Sequence, residues 1–391
     1  MNTNDHTPNG FSTRAVHAGE PRPRIGGAVS MPIFQSSTFE TREGESYDDI
    51  RYIRLNNTPS HDVLHQKLAA LEGAESALSM SSGMAAITTS LMALLQPGAH
   101  ILAQRGLYGG TGSWLVHELP KLGYTCSFFD GQHPEQWEGL VRPNTALVLC
   151  ETISNPLLEV VDFDQVVQFC RRHGFISIID NTFASPVWFN PLSLGFDLVA
   201  HSATKYLNGH TDLVAGCVMG SSVLVSRIRK CLNLFGGTLD PHACYLLQRG
   251  IKTLELRVGA QSENALQLAQ WLSLRPEVRR VFYPGLSQHA SHPNARKYLR
   301  GYGGMLAFEL SGTSDQAVTF CQNLQLGVYA PSLGGVETLV TIPARTSHVA
   351  LTPEERRKIG ISDGTIRVSV GIENISDLKD DFIRGLAGAM S

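Results

Sequence analysis

Residues 1–60 show little regular alternation of apolar and polar positions. Pro21, Pro23, Pro32 and Pro59 punctuate them with several glycines, and the pattern predicts an extended arm. The texture changes at His61. Val63, Leu64, Leu68 and Leu71 recur at helical spacing, and Gly73 is placed to stop the helix. Ser81-Ser82-Gly83 precedes an apolar stretch from Met84 to Leu95 closed by Pro97-Gly98, which predicts a second, capped helix. Short apolar runs follow, alternating with amphipathic segments: Ile101 to Ala103, Ala146 to Leu149, Ile176 to Ile179, Leu198 to Ala200 and Val214 to Met219. Such alternation predicts a mostly parallel sheet covered on both faces. Leu256 to Leu274 predicts one long connecting helix. Beyond it, Met305 to Leu310 and Ile366 to Val370 predict strands of a smaller α/β domain. The expected division is an arm at 1–60, a large domain at 61–257 and a C-terminal domain at 258–391, with no internal repeat.

Composition narrows the function classes. A length of 391 residues is two to three domains at ~150 residues each. With 42% hydrophobic and 17% charged residues, bulk disorder is excluded. Lys and Arg number 32 against 35 Asp and Glu, and a net charge of −3 gives no electrostatic pull toward nucleic acid or an anionic membrane. The longest basic run, Arg356-Arg357-Lys358, directly follows Glu354-Glu355 and reads as a solvated helix face. No apolar run reaches the ~18 residues of a membrane span, and Met1 to Gly10 lacks the apolar stretch of a secretory signal. The seven cysteines are scattered without a Cys-x-x-Cys, so small buried hydrophobes in a reducing cytoplasm are expected. The fourteen histidines show no ligand spacing, and no metal is expected.

Four segments carry candidate chemistry. In His201-Ser202-Ala203-Thr204-Lys205-Tyr206, a lysine stands just past the end of an apolar strand, where open α/β sheets bind ligands. Hydroxyls one and three residues earlier suit a Schiff-base lysine beside a phosphate, and a surface lysine in a polar loop is the alternative. Ile178-Ile179-Asp180-Asn181-Thr182 also ends a strand on a carboxylate, which suits pairing with a protonated heterocyclic nitrogen or simple helix capping. Ser82, Gly83 and Met84 open a helix whose free N–H groups form either an anion site or an ordinary cap. Tyr108, followed by Gly109 and Gly110, suits stacking on a flat ring, or burial as a core tyrosine. Neither a Walker lysine loop nor a G-x-G-x-x-G fingerprint is present.

In order and spacing, these segments resemble the Cys/Met-metabolism (transsulfuration) family of pyridoxal-phosphate enzymes, from about Ser12 to the C-terminus. The resemblance implies an α/β fold of the PLP-dependent aminotransferase-like kind (fold type I), with a cofactor-binding large domain and a substrate-binding C-terminal domain. It implies that Lys205 carries pyridoxal 5′-phosphate and shuttles protons. Ser202, Thr204 and the backbones of Gly83 and Met84 would hold its phosphate. Asp180 would pair with the ring nitrogen, Tyr108 would stack on the ring, and Asn155 would sit near the phenolic oxygen. Ser332 and Arg367 match the substrate carboxylate site, to which a bidentate arginine is suited. Tyr52 and Arg54 match a pair that reaches the phosphate of a neighbouring subunit. The implied assembly is a homo-oligomer, a dimer of dimers, with the arm at 1–60 crossing over.

The sequence departs from the family's pattern at four places. Tyr52-Ile53-Arg54-Leu55-Asn56-Asn57-Thr58-Pro59 replaces the usual Tyr-Ser-Arg, then Asn-Pro-Thr. Gly110 stands where methionine γ-lyases carry cysteine, Pro331 where many γ-synthases and γ-lyases carry glutamate, and Thr346-Ser347-His348 replaces Met-Thr-His. The expected function is a lyase or transferase of sulfur-containing or homoserine-derived amino acids, foremost γ-elimination of the cystathionine γ-lyase type. The alternatives are γ-replacement by a synthase or sulfhydrylase, methionine γ-lyase, cystathionine β-lyase, and a catalytically silent binding protein on the same scaffold.

Overall fold

The computed structural model describes residues 10–41, 43, 44, 46, 49–311, 313–349 and 352–390. The polar start at 1–9 and arm positions 42, 45, 47 and 48 lie outside the described residues, as do the side chains of Glu355 and Lys358.

The chain enters through a short helix, α1 (Phe11–His17), inside the segment expected to be extended. Its length is too small for a periodic signal, and only Ala15 is buried. A fully buried lysine fixes it: Lys67 Nζ donates to the carbonyls of Ala15 (3.0 Å) and Val16 (3.1 Å), where the helix needs a cation. Lys67 belongs to α2 (Pro59–Glu72), which begins with proline and stops at Gly73 with φ 71°, a left-handed position that favours glycine. Helix α3 (Gly83–Leu94) is capped by Ser82, whose Oγ accepts from the Ala85 N–H at 3.0 Å.

The larger sheet has seven strands: β1 (Ser76–Met80), β2 (His100–Gln104), β3 (Thr125–Phe129), β4 (Thr145–Glu151), β5 (Ile176–Asp180), β6 (Leu198–His201) and β7 (Gly216–Gly220). Their order is β1-β7-β6-β5-β4-β2-β3. Strands β2 to β6 are mutually parallel, and only β7 runs against its neighbours β1 and β6. The run expected at Val214 to Met219 is therefore the reversed strand. Its connection from β6 is a loop that forms no helix, so it makes no helical crossover of the kind that joins parallel strands. Val214 itself lies outside the strand and is 61% exposed.

Successive residues of the central strands feed opposite core faces. Ile179 and Val199 join one cluster, and Ile178, Leu198 and Ala200 join the other. Burial on both faces explains why these strands read as unbroken apolar runs. From β2 the chain steps outward to β3, then returns across β2 to β4 and continues through β5 to β6. The crevice above the carboxyl ends of β2 and β4 is thus a topological switch point, the place where such sheets bind ligands.

The helix Leu254–Leu272 leads to a second sheet of β8 (Val278–Phe282), β9 (Met305–Leu310), β10 (Val328–Tyr329), β11 (Leu339–Thr341) and β12 (Thr365–Ser369), ordered β10-β11-β12-β9-β8. It has its own core around Phe308, Phe320 and Phe382. Ile179→Ala should destabilise the protein by about 2–5 kcal/mol, because the close-packed strand cannot collapse around the lost methyls. The measurement is the denaturation midpoint, with the native circular dichroism spectrum retained below it.

Candidate functional site

A cavity of about 630 Å³ opens over the carboxyl ends of β4, β5 and β6 and is closed on one side by the second sheet. It gathers Gly83, Met84, Tyr108, Asn155, Asp180, Ser202, Thr204, Lys205, Ser332 and Arg367. The loop between β6 and β7 delivers Ser202, Thr204 and Lys205, and β12 delivers Arg367.

Lys205 Nζ donates to Ser332 Oγ at 2.7 Å. Burial pulls the amine down to about 8, and the nearby Arg367 charge adds to the shift. Ser332 sits at φ 89°, a strained value for a residue with a side chain, and its carbonyl accepts from Arg367 Nη2 at 2.9 Å. Arg367 Nη1 donates to Asn155 Oδ1 at 3.3 Å. The guanidinium is buried, which lowers it to about 10 and leaves it charged at neutral pH. Its Nε has no partner, and among the described residues no carboxylate is ion-paired with it. A buried cation held only by neutral oxygens is a receptor for a carboxylate.

Asp180 ends β5 at the cavity floor. Its Oδ1 accepts from the Thr182 N–H at 2.9 Å and from the Thr182 hydroxyl. Burial raises its carboxyl and these bonds pull it back. The adjacent Glu151 is held well above the carboxylate range by burial and by the Asp180 charge, so Glu151 takes the proton of the pair. Thr182 then links two parts of the site, since its Oγ1 accepts from the Ser202 N–H at 2.8 Å.

The N-terminus of α3 faces Ser202. A Cβ at Gly83 would lie 2.7 Å from Ser202 Cβ, so only glycine permits this approach. Ser202 Oγ has no hydrogen-bond partner among the described residues, whereas Thr204 Oγ1 donates to the Ala215 carbonyl at 3.1 Å. With the N–H groups of Gly83 and Met84, this corner fits a phosphate. Tyr108 is 49% exposed and its backbone N–H donates to Glu151 Oε1 at 2.7 Å. Its ring rests over Gly110, where a Cβ would come within 2.5 Å of Tyr108 Cε1. A cysteine in that place would displace the ring.

Tyr52 and Arg54, expected to reach a neighbouring subunit's phosphate, do not line this chain's cavity. Both lie on the surface, where Arg54 Nη1 donates to the Asn233 carbonyl at 2.7 Å and its guanidinium lies 5.7 Å from the Tyr52 ring. The altered stretch after them forms a short turn ended by Asn56 at φ 57°, whose amide donates to the Ser79 carbonyl at 2.6 Å. Conversely, Thr182, inside the quoted Asp180 motif, and Glu151, at the end of β4, join the site without having been assigned a role. A second carboxylate at a strand's end, and a hydroxyl two residues after Asp180, were the available signals.

The profile described as "Cys/Met metabolism PLP-dependent enzyme" matches residues 12–387. The chain is 40% identical to a cystathionine γ-lyase of Bacillus subtilis over 375 residues, covering 96% of this chain and 98% of that protein. It is 41% identical to an L-methionine γ-lyase of Pseudomonas putida over 388 residues, covering 96% and 97%. It superimposes on the cystathionine γ-synthase of Xanthomonas oryzae pv. oryzae, solved with aminoacrylate and cysteine, with a TM-score of 0.94, 37% identity and coverage of 98% and 99%. The residues present fit pyridoxal phosphate: an amine with lowered proton affinity, a glycine-tight anion corner, a carboxylate at the floor and a ring-bearing rim. Residues, fold and relatives agree that this chain belongs to the Cys/Met-metabolism family of PLP-dependent enzymes.

Proposed function

We propose that this enzyme cleaves a sulfur-containing L-amino acid by γ-elimination, in the manner of a cystathionine γ-lyase. With cystathionine and water the products are cysteine, 2-oxobutanoate and ammonia. The observation that carries this reading is the pairing, through Ser332, of an amine at about 8 with a buried guanidinium lacking a carboxylate. One binds the α-carboxylate and the other handles protons at the neighbouring carbons.

Arg367 orients the substrate, with the unpartnered Nε–H and a second proton of one Nη available to the two carboxylate oxygens. Lys205 at about 8 is neutral in about a tenth of molecules at pH 7, enough to work as a base. It removes the proton from Cα, and γ chemistry needs a second removal from Cβ before the sulfur departs from Cγ. Bound pyridoxal phosphate supplies the electron sink for these steps. With the cofactor bound, Asp180 would keep the ring nitrogen protonated, Asn155 would lie by the phenolic oxygen, and Tyr108 would stack on the ring and help move protons. Glu151 stays neutral beneath them, which spares Asp180 a like-charged neighbour.

A second reading is favoured by the cavity walls. Val214, Phe183, Met84 and Pro331 make parts of the wall apolar, and among the described residues the lining holds no cation besides Lys205 and Arg367. A short neutral thioether, as in methionine γ-lyase, suits such walls better than the charged far end of cystathionine. Incubating the cofactor-loaded protein with each amino acid decides between them: 2-oxobutanoate is expected, pyruvate would mean β-elimination, and no 2-oxo acid would mean a replacement enzyme. Lys205→Ala should abolish the visible absorption of the bound cofactor and turnover by at least about 1000-fold, and unchanged activity would sink the mechanism.

Cofactor loading should also report Lys205. Only the neutral amine attacks an aldehyde, so the rate of cofactor uptake by the apo-protein should rise with pH through a midpoint near 8. A midpoint at the ordinary lysine value would contradict the burial argument.

In this reading the arm at 1–60 serves a neighbouring copy, while 61–257 binds the cofactor and 258–391 the substrate. The enzyme is a homo-oligomer of the reducing cytoplasm, a dimer of dimers. Supporting this, Arg54 is anchored beside Leu234 (85% exposed) and Phe235 (61% exposed), an apolar patch suited to a second copy. Co-expressed Lys205→Ala and Arg54→Ala chains should complement each other, because a mixed dimer contains one intact site. A monomer that loads cofactor normally would refute the shared site.

A further inference from the structure

Beneath the cavity floor, on the opposite face of the seven-stranded sheet, lies a polar cluster with no part in the steps above. Glu72, the last residue of α2, and His201, the last of β6, are each about 1% exposed. Glu72 Oε1 meets His201 Nε2 at 2.6 Å and accepts from Asn181 Nδ2 at 3.1 Å, and its Oε2 accepts from Asn190 Nδ2 at 3.2 Å. A carboxylate only accepts, so His201 Nε2 carries the proton. Asn181 Oδ1 in turn accepts from Thr152 Oγ1 at 2.7 Å.

The placement is systematic. Thr152, Asn181 and His201 each adjoin a cavity residue in the chain: Glu151, Asp180 and Ser202. Strand alternation sends one of each pair up into the cavity and the other down into the cluster. Glu72 therefore gathers, directly or through one side chain, the ends of β4, β5 and β6. Two electrostatic signs show that the faces sense each other. The Asp180 carboxyl, raised by burial and drawn down by the Thr182 hydrogen bonds, is also drawn down by neighbouring His201, and the thiol of Cys217, paired with His201 in the sheet, is pushed up by burial and by both Glu72 and Asp180. Arg300 reaches the cluster from outside, donating to Asn190 Oδ1 at 2.9 Å.

We propose that Glu72 and His201 are a positioning pair for Asp180: their hydrogen bonds lock three strand ends in register and hold the Asp180 carboxylate aimed at the ring nitrogen of the cofactor. This rests on the cofactor reading above. Neither residue touches the cavity, so they act only through Asp180. A buried staple without this coupling would stabilise the fold and leave cofactor affinity alone.

The test is a double-mutant cycle with pyridoxamine 5′-phosphate, which carries the ring and phosphate but no aldehyde for Lys205. The dissociation constant is measured on apo wild type, Glu72→Gln, Asp180→Asn and the double variant. Glu72→Gln should weaken binding about tenfold while Glu72→Asp, which keeps the charge, recovers most of it. The double variant should bind no more weakly than Asp180→Asn alone, since the pair acts through that residue. Should Glu72→Gln fail to fold, His201→Gln carries the same cycle. Unchanged affinity in Glu72→Gln, or losses that simply add, would overturn the proposal. Failure of the wild type to bind the probe would instead overturn the cofactor site itself.

Discussion

A guanidinium buried without a countercharge is the constraint on which this site turns. Arg367 leaves water on β12 and finds only the Ser332 carbonyl and the Asn155 side chain. Those two acceptors come from different segments, Asn155 after β4 of the large sheet and Ser332 before β11 of the small one. Holding one cation thus joins the two sheets across the cavity. The same charge lowers the proton affinity of Lys205. A free carboxylate entering here neutralises Arg367 and so raises the proton affinity of Lys205. The amine is at its most reactive before substrate arrives and regains affinity for protons as substrate binds, which suits a group that must take a proton next.

The sheet explains why the charges can be kept apart. The strand ends alternate up and down, so Glu151 and Asp180 face the cavity while Asn181 and His201 face Glu72. Two carboxylates beside each other cannot both ionise in a dry place, and the structure separates their roles by neighbours. Asp180 receives the Thr182 hydrogen bonds and the His201 field, and Glu151 receives one backbone N–H and keeps the proton. A helix terminus contributes the remaining positive end, through Gly83.

Much of this was legible in the chain. The helix predicted from His61 to Leu71 spans Pro59–Glu72, because both its proline start and its glycine stop are local chemistry. The strands around Ile101, Leu147, Ile178 and Val199 were visible because burial on both faces leaves a continuous apolar run. β1 and β3 were not: Ser76–Met80 and Thr125–Phe129 mix small polar and apolar residues, as strands near a sheet's edges do. Lys205, Asp180 and Arg367 were legible as polar residues in or just beyond apolar strands. Glu72 was not, because it reads as the solvated end of an amphipathic helix. Only the fold brings it to His201, across a sequence separation of 129 residues. Tyr52 and Arg54 were legible from their motif, and in the fold they lie on the surface outside this cavity.

The residues that shape the walls are separable from those that move protons. Gly110 and Pro331 make no hydrogen bond to Lys205, Asp180 or Arg367, yet each decides space or charge at the rim. Without a side chain at 110 the Tyr108 ring lies down against the backbone. Proline at 331 removes both a charge and a backbone donor from the strained step into Ser332. A rim that carries little charge discriminates substrates by shape and desolvation. Apolar contacts separate one methylene from the next by about 1–3 kcal/mol, whereas an unpaired buried charge is rejected far more strongly. A substrate with a charged tail must therefore place that charge in solvent, while a neutral thioether can be enclosed.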